Sequence, residues 1–194
     1  MFTGLIRSLG TVGSFTSGNL VINVDRGFLT GMKTGDSVAV NGTCLSITSM
    51  TESSFTVFVS EETKKLTTVS ILGQGSTVNL ETPMRLGDML HGHLVQGHVD
   101  GIGMVEEFHR SGQGWILKVK YPKELDAYIV HKGSIAVNGI SLTVAKKYSL
   151  VFEVAIIPET VDRTSLKTIR KNDKVNLETD MVAKYVESLL KTER

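Results

Sequence analysis

The sequence predicts an all-β protein of two tandem homologous domains, each a small closed barrel or tight sandwich, followed by one C-terminal helix. Three observations carry this expectation: a long internal repeat, short alternating strands separated by turn residues, and a change of periodicity near the end. Ser37-Val38-Ala39-Val40-Asn41-Gly42 returns 97 residues later as Ser134-Ile135-Ala136-Val137-Asn138-Gly139. Glu62-Thr63 returns as Glu159-Thr160, and Val78-Asn79-Leu80-Glu81-Thr82 returns unchanged as Val175-Asn176-Leu177-Glu178-Thr179. No insertion is needed between positions 36 and 84. Such regularity means two similar domains. Repeated Asn, Glu and Thr point further to two similar binding sites, although turns and strand ends use these residues too.

The elements follow in order. Val, Ile and Thr alternate with polar residues at 36–48, 55–59, 77–81 and 116–119, the pattern of half-buried strands. Ser17-Gly18-Asn19, Gly73-Gln74-Gly75-Ser76 and Ser111-Gly112-Gln113-Gly114 read as the turns between strands. Short helical turns are expected near Arg26-Gly27-Phe28-Leu29 and Pro122-Lys123-Glu124-Leu125. The first domain is expected to span 1–88 and the second 89–180, joined through Arg85-Leu86-Gly87-Asp88-Met89-Leu90, with 181–194 as a separate C-terminal helix. Asp180 can cap that helix from Met181 to about 191, with Met181, Val182, Tyr185, Val186, Leu189 and Leu190 on one face. The pattern leaves open whether this stripe packs on its own barrel or joins other subunits.

Composition narrows the function classes. A net charge of +1 without long charged runs does not favour nucleic acid or anionic membrane as partners. Cys44 is the single cysteine, so an intrachain disulfide and a four-cysteine zinc site are excluded. Met1-Phe2-Thr3-Gly4 lacks the basic start and apolar run of a signal peptide, and no segment reaches the ~20 apolar residues of a membrane span. The expectation is a cytoplasmic protein.

His91, His93 and His98 are the first candidates for chemistry. An H-x-H pair puts two imidazoles on one face of a strand, a spacing some metal sites use. No thiol lies close in sequence to complete such a site, so a polar ligand pocket or solvent exposure is the simpler expectation. Comparing the copies at the offset of 97 sets His98 opposite Met1, Lys132 opposite Gly35, Ser141 opposite Cys44 and Thr143 opposite Ser46. The second copy gains an imidazole, a cation and a hydroxyl nucleophile, while the first keeps a thiol. Two bound copies of one ligand made to play different parts would need such an asymmetry; drift after duplication would also produce it. A lone cysteine in an apolar strand serves as inert core as readily as nucleophile.

At these residues the chain resembles the riboflavin synthases of the trimeric α-subunit type. The resemblance rests on Met1-Phe2-Thr3-Gly4-Leu5-Ile6, Asn41-Gly42-Thr43-Cys44-Leu45-Ser46, Gly92-His93-Leu94-Val95-Gln96-Gly97-His98-Val99-Asp100-Gly101, Asn138-Gly139-Ile140-Ser141-Leu142-Thr143 and Pro158-Glu159-Thr160, and covers essentially the whole chain. It implies two tandem homologous six-stranded Greek-key barrels and a homotrimer held by the C-terminal helices. The implied reaction is the dismutation of two 6,7-dimethyl-8-ribityllumazine molecules by four-carbon transfer, giving riboflavin and 5-amino-6-ribitylamino-pyrimidinedione, with no metal or organic cofactor. Lumazine synthase is a protein partner of some relatives. A rival on the same scaffold is a lumazine-binding antenna protein, which holds one chromophore and catalyses nothing.

Carried over residue by residue, the resemblance assigns Gly4-Leu5-Ile6, Cys44-Leu45-Ser46 and Phe58-Val59-Ser60-Glu61-Glu62-Thr63 to the first lumazine pocket. It assigns Gly97-His98-Val99, Lys132, Ser141-Leu142-Thr143 and Ala155-Ile156-Ile157-Pro158-Glu159-Thr160 to the second. His98 is expected to handle the proton and Ser141 to act as nucleophile or to position water. Thr143 and Cys44 orient the rings, and Lys132 stabilises charge. Some relatives carry Asp where this chain has Asn138, which an amide cannot replace as a base; Asn41 at the matching position suggests a hydrogen-bonding role instead.

Overall fold

In the computed structural model, which describes residues 1–192, the chain forms two closed antiparallel barrels and a C-terminal helix. The first barrel comprises β1 (Ser8–Thr16), β2 (Asn19–Asn23), β3 (Ser37–Val40), β4 (Thr43–Met50), β5 (Ser54–Phe58) and β6 (Thr77–Glu81). The second comprises β7 (Gly101–Ser111), β8 (Gly114–Lys120), β9 (Ser134–Val137), β10 (Ile140–Lys147), β11 (Val151–Ile156) and β12 (Lys174–Thr179). The spatial order is β1-β2-β5-β4-β3-β6 in one and the equivalent β7-β8-β11-β10-β9-β12 in the other. Three hairpin-linked strands with a fourth returning beside the first make each a Greek key. Pairing of β6 with β1 and of β12 with β7 closes the ring, so neither barrel has a free edge.

Alternation decides which side chains fill each barrel. In β4, Thr43, Leu45 and Ile47 are buried while Cys44, Ser46 and Thr48 face outward; in β10, Leu142 and Val144 are buried while Ser141 and Thr143 face outward. Bulges recur at the same places in β1 and β7 and in β4 and β10, bending these strands around the small circumference. Lys123–Leu125 forms a short 3₁₀ turn as expected, whereas 26–31 forms turns without a helix.

After each fifth strand comes a short helix, α1 (Glu61–Leu66) or α2 (Pro158–Asp162), then a 3₁₀ turn, Thr68–Ile71 or Ser165–Thr168. α3 (Met181–Thr192) ends the described chain, its first amides capped by Asp180. One side of α3 is pinned to the second barrel by Lys184 on Asp100 at 2.7 Å and by the Tyr128 hydroxyl on Glu187. Its apolar stripe, Val182, Tyr185, Val186, Leu189 and Leu190, is exposed in the single chain.

The barrels meet on a local pseudo-twofold axis. Asn79 Nδ2 donates to the Asn138 carbonyl at 2.9 Å, and Asn176 Nδ2 donates to the Asn41 carbonyl at 2.8 Å. The Asn41-Gly42 and Asn138-Gly139 hairpin tips touch, and a Cβ on Gly42 would lie 2.7 Å from the Gly139 nitrogen. Phe2 and Val95 pair through reciprocal backbone bonds and form a small buried cluster with Ala39 and Ala136.

The repeat is less uniform than a constant 97. Thr11 pairs with Asn23 where Met104 pairs with Lys120, so the offset is 93 before this hairpin and 97 after it. The four extra residues lengthen both arms of the β7–β8 hairpin: β7 has 11 residues against 9 in β1, and β8 has 7 against 5. Met1 is therefore not the counterpart of His98. The structural counterpart of His98 is Leu5, and that of Gly97 is Gly4.

Candidate active site

Each barrel presents an outward shelf built on its fourth strand. On the first, Cys44 and Ser46 project from β4, Phe58 at the end of β5 is 56% exposed, and Ser60 caps α1 by accepting the Thr63 amide at 3.1 Å. On the second, Ser141 and Thr143 project from β10, Ala155 and Ile157 stand at the end of β11, and Pro158 opens α2. Pro at the first helical position gives up an amide that had no partner to lose. Glu62, Glu159 and Ser46 are exposed; Thr63 and Thr160 are half-buried, and their carbonyls accept the Thr67 and Thr164 hydroxyls. Glu61 forms an ion pair with Lys64 within α1, and Glu159 forms one with Arg163, the residue that ends α2.

The third wall of each shelf comes from a segment preceding a barrel, and these segments are exchanged relative to expectation. The Cys44 amide donates to the Gly97 carbonyl at 2.9 Å, which places Gly97-His98-Val99 beside the first shelf. The Ser141 amide donates to the Gly4 carbonyl at 2.8 Å, which places Gly4-Leu5-Ile6 beside the second, with Ile6 packed against that barrel's core. Gly4 and Gly97 both have φ near the left-handed region, +75° and +80°, and a Cβ on either would sit 2.6 Å from the Cβ of Ser141 or Cys44. Only glycine allows this approach.

Two buried carboxylates hold the segments in place. Glu81 accepts the Thr3 amide and hydroxyl, each at 2.7 Å, and the Gly4 amide at 3.0 Å. Glu178 accepts the Gln96 amide at 2.6 Å and the Gly97 amide at 2.9 Å. Burial pushes the Glu178 carboxyl up to about 7 against the pull of its two amide donors and Lys184, with Asp100 adding to the rise. Burial raises Glu81 as well, opposed mainly by its bonds from Thr3 and Gly4.

The largest difference between the shelves is His93. It is only 8% exposed, and its Nδ1 lies 2.7 Å from Ser141 Oγ. Its Nε2 is buried without a partner. Burial lowers the imidazole pKa, opposed by the charge of Asp180, so the ring favours its neutral form near neutral pH. A neutral imidazole on a serine hydroxyl can take that hydroxyl's proton. Gly92 lies so close that a Cβ there would be 2.1 Å from the Thr3 carbonyl oxygen and 3.0 Å from Ser141 Oγ. Cys44 instead borders the small cluster of Phe2, Ala39, Val95 and Ala136.

Several expected lining residues take other places. Leu45, Val59, Leu142 and Ile156 face their barrel cores, since period-two alternation turns them inward between outward neighbours. Lys132 sits with φ +66° in the turn before β9, its amide on the Val144 carbonyl. That level is about 10 Å along β10 from Ser141 at ~3.3 Å per residue, so Lys132 attends the far end of the shelf. Asn138 is buried at a hairpin tip, where its Oδ1 accepts the Asn176 amide at 2.8 Å. It joins the two barrels rather than facing Ser141. The three neighbouring histidines separate: His93 goes to Ser141, His98 to the Cys44 side, and His91 is exposed. Comparison of the two copies does not single out His93 as a site residue, because its partner is 48 positions away; its places in the H-x-H pair and in the Gly92-to-Gly101 motif are the signals the sequence carries.

The profile of the family described as "Lumazine binding domain" matches residues 3–83 and 96–180, two starts that are 93 apart like the structural counterparts above. A riboflavin synthase of Photobacterium leiognathi is 40% identical over 198 residues, covering 100% of this chain and 91% of its own. That of Mycobacterium bovis is 39% identical over 99% of each chain, and that of Bacillus subtilis 37% identical over 96% of this chain and 88% of its own. Crystal structures of LumP with 6,7-dimethyl-8-(1'-D-ribityl) lumazine and with riboflavin share the fold, with TM-scores of 0.82 and 0.83 at 21% and 23% identity, over 92% of this chain and 99% of theirs.

Proposed function

The chain belongs to the riboflavin synthase family, and we propose that its two shelves divide the labour of the family's reaction. Two identical 6,7-dimethyl-8-ribityllumazine molecules exchange a four-carbon unit to give riboflavin and 5-amino-6-ribitylamino-pyrimidinedione, so one must be made donor and the other acceptor. The observation that carries the division is the His93–Ser141 contact at 2.7 Å on the second shelf, where the first has a free thiol, Cys44, at the matching position.

On the second shelf, Ser141 Oγ, or a water held by it, adds to the electrophilic ring carbon of one lumazine while the hydroxyl proton passes to His93 Nδ1. Thr143 supplies a further hydrogen bond, and Lys132 places positive charge at the far end of the same strand. On the first shelf, His98 removes a proton from the 7-methyl group of the other lumazine. The resulting anion is delocalised into the ring as an exocyclic methylene. Cys44, Ser46 and Thr63 orient that ring, and Phe58 offers it an apolar surface. Stacking the two rings face to face converts a bimolecular carbon–carbon bond formation into one between held partners.

Both shelves are open on a single chain, so a second subunit must cover them. The exposed apolar stripe of α3 supports assembly through these helices into a homotrimer in which the first shelf of one subunit faces the second shelf of its neighbour. Among the described residues no helix is long and apolar enough to cross a membrane.

Incubation of the purified protein with 6,7-dimethyl-8-ribityllumazine tests this reading. Riboflavin formed at half the rate of lumazine loss supports the dismutation. Tight binding of one lumazine per subunit with no riboflavin makes the protein a chromophore carrier and overturns it.

A further inference from the structure

A groove of about 460 Å³ runs along the pseudo-twofold axis between the barrels, away from both shelves. Its lining includes Asn41 and Asn138 from the hairpin tips and two loops related by the pseudo-symmetry, 71–77 and 168–174. The volume falls within the range of small-molecule sites. Three features of the lining bear on what would fill it.

The first is an excess of donors. Asn41 and Asn138 spend their Oδ1 atoms on the amides of Asn79 and Asn176, an exchange that leaves their Nδ2 hydrogens unused. Thr68, Ser76 and Thr77 add hydroxyls to the lining, while the Thr168 hydroxyl already donates to the Ser165 carbonyl at 3.2 Å. The second is Ser165 itself, whose Oγ lies just under the lining, closed to solvent and without a hydrogen-bond partner, a state that costs free energy. The third is charge. The loop 71–77 carries none, whereas Lys167, Arg170, Lys171 and Lys174 are exposed in and beside the loop 168–174. Their counterparts 97 residues earlier are Ser70, Gly73, Gln74 and Thr77. Asp173 is the acid of that loop, and its Oδ2 already accepts the Arg170 amide at 2.7 Å. One bank of a donor-lined groove has thus become cationic while the other stayed neutral. Such an arrangement concentrates anions and suits a group with several acceptor oxygens.

We propose that this inter-barrel groove binds a phosphate-type oxyanion, free or as the monoester of a small polar molecule. The oxyanion sits against Lys174 and the unused side-chain amides of Asn41 and Asn138, and the remaining volume takes the organic part of an ester. The site is separate from the lumazine shelves and does not depend on the division of labour proposed for them.

Calorimetric titration of the full-length protein at low ionic strength, first with inorganic phosphate and then with ribose 5-phosphate, tests the proposal. Saturable binding of either ligand is expected. Ribose 5-phosphate binding more tightly would show that the whole groove is used, and equal binding that the oxyanion pocket acts alone. Lys174→Glu should weaken binding about tenfold or more, the loss of one charge-assisted contact. Thr77→Glu, on the opposite bank, should do the same by repulsion and covers the case in which Lys174→Glu fails to fold. Lys146→Glu, which breaks an ion pair with Glu153 elsewhere on the second barrel, serves as the remote control and should leave binding unchanged. Unsaturable binding, binding retained in both groove variants, or equal loss in the Lys146 control would overturn the proposal.

Discussion

The two barrels share strand order, bulges and the glycine-carbonyl wall beside the fourth strand, yet the residue at the centre of each shelf meets different chemistry. Cys44 borders a small apolar cluster and has Gly97-His98 beside it. Ser141 has Gly4-Leu5 beside it and a buried histidine on its hydroxyl. Duplication supplied two equivalent frames, and a few side chains made them unequal. A reaction between two molecules of one compound needs this, because a symmetric pair of sites would give both substrates the same part.

Variants can break the comparison in order of expected effect. Ser141→Ala should lower kcat about 100-fold or more, the usual scale of a general acid–base contribution, while Cys44→Ala should change it by less than about tenfold. Equal losses in steady-state assays would mean that the shelves are equivalent after all. His93→Gln sharpens the assignment through pH. Burial lowers the His93 pKa, so the wild-type rate should hold near neutral pH and fall as pH drops below the ordinary histidine range, where the base becomes protonated. The variant should be slower throughout and lose that acidic limb. A limb that survives belongs to another group.

A third comparison sets the two carboxylate clamps against each other through stability. Burial pushes folded Glu178 up to about 7, above the ordinary glutamate value of 4.5, so between these values the folded chain holds a proton that the unfolded chain has released. Stability should therefore decline as pH rises through this window, with a slope approaching one proton. Glu178→Gln should remove that slope in denaturant titrations, and Glu81→Gln should leave most of it. The smallest effect is expected from Asn138→Asp. A carboxylate keeps the acceptor for the Asn176 amide and does not reach Ser141, so turnover should stay within about threefold. A collapse of rate without loss of fold would return Asn138 to the chemistry.

Much of this was legible in the sequence because the repeat is polar as well as apolar. The Asn-Gly hairpin tips and the Val-Asn-Leu-Glu-Thr strands fixed two like domains, and the periodicity after Asp180 marked the terminal helix. What failed was register. An extension divided between both arms of the β7–β8 hairpin leaves no gap between 36 and 84, so it displaces the counterparts of residues 1–16 by four without disturbing the clear part of the repeat. The offset of 97 sets His98 opposite Met1 for that reason. Separately, the segments at Gly4 and Gly97 each lie against the fourth strand of the other barrel, a crossing that no local pattern in the chain shows. Leu45 and Leu142 could have been placed inward from alternation alone, since each lies between two outward polar residues. His93 could not, because nothing local in a chain indicates that a linker histidine will fold onto a serine 48 positions later.

The division of labour is tested most directly by exchange of the lumazine 7-methyl protons in heavy water, followed by proton NMR and corrected for the uncatalysed rate. Ser141→Ala should keep enzyme-dependent exchange near the wild-type rate while riboflavin formation collapses, and His98→Gln should lose both. Exchange lost in Ser141→Ala, or kept in His98→Gln, would contradict the assignment of proton removal to the first shelf and nucleophilic addition to the second.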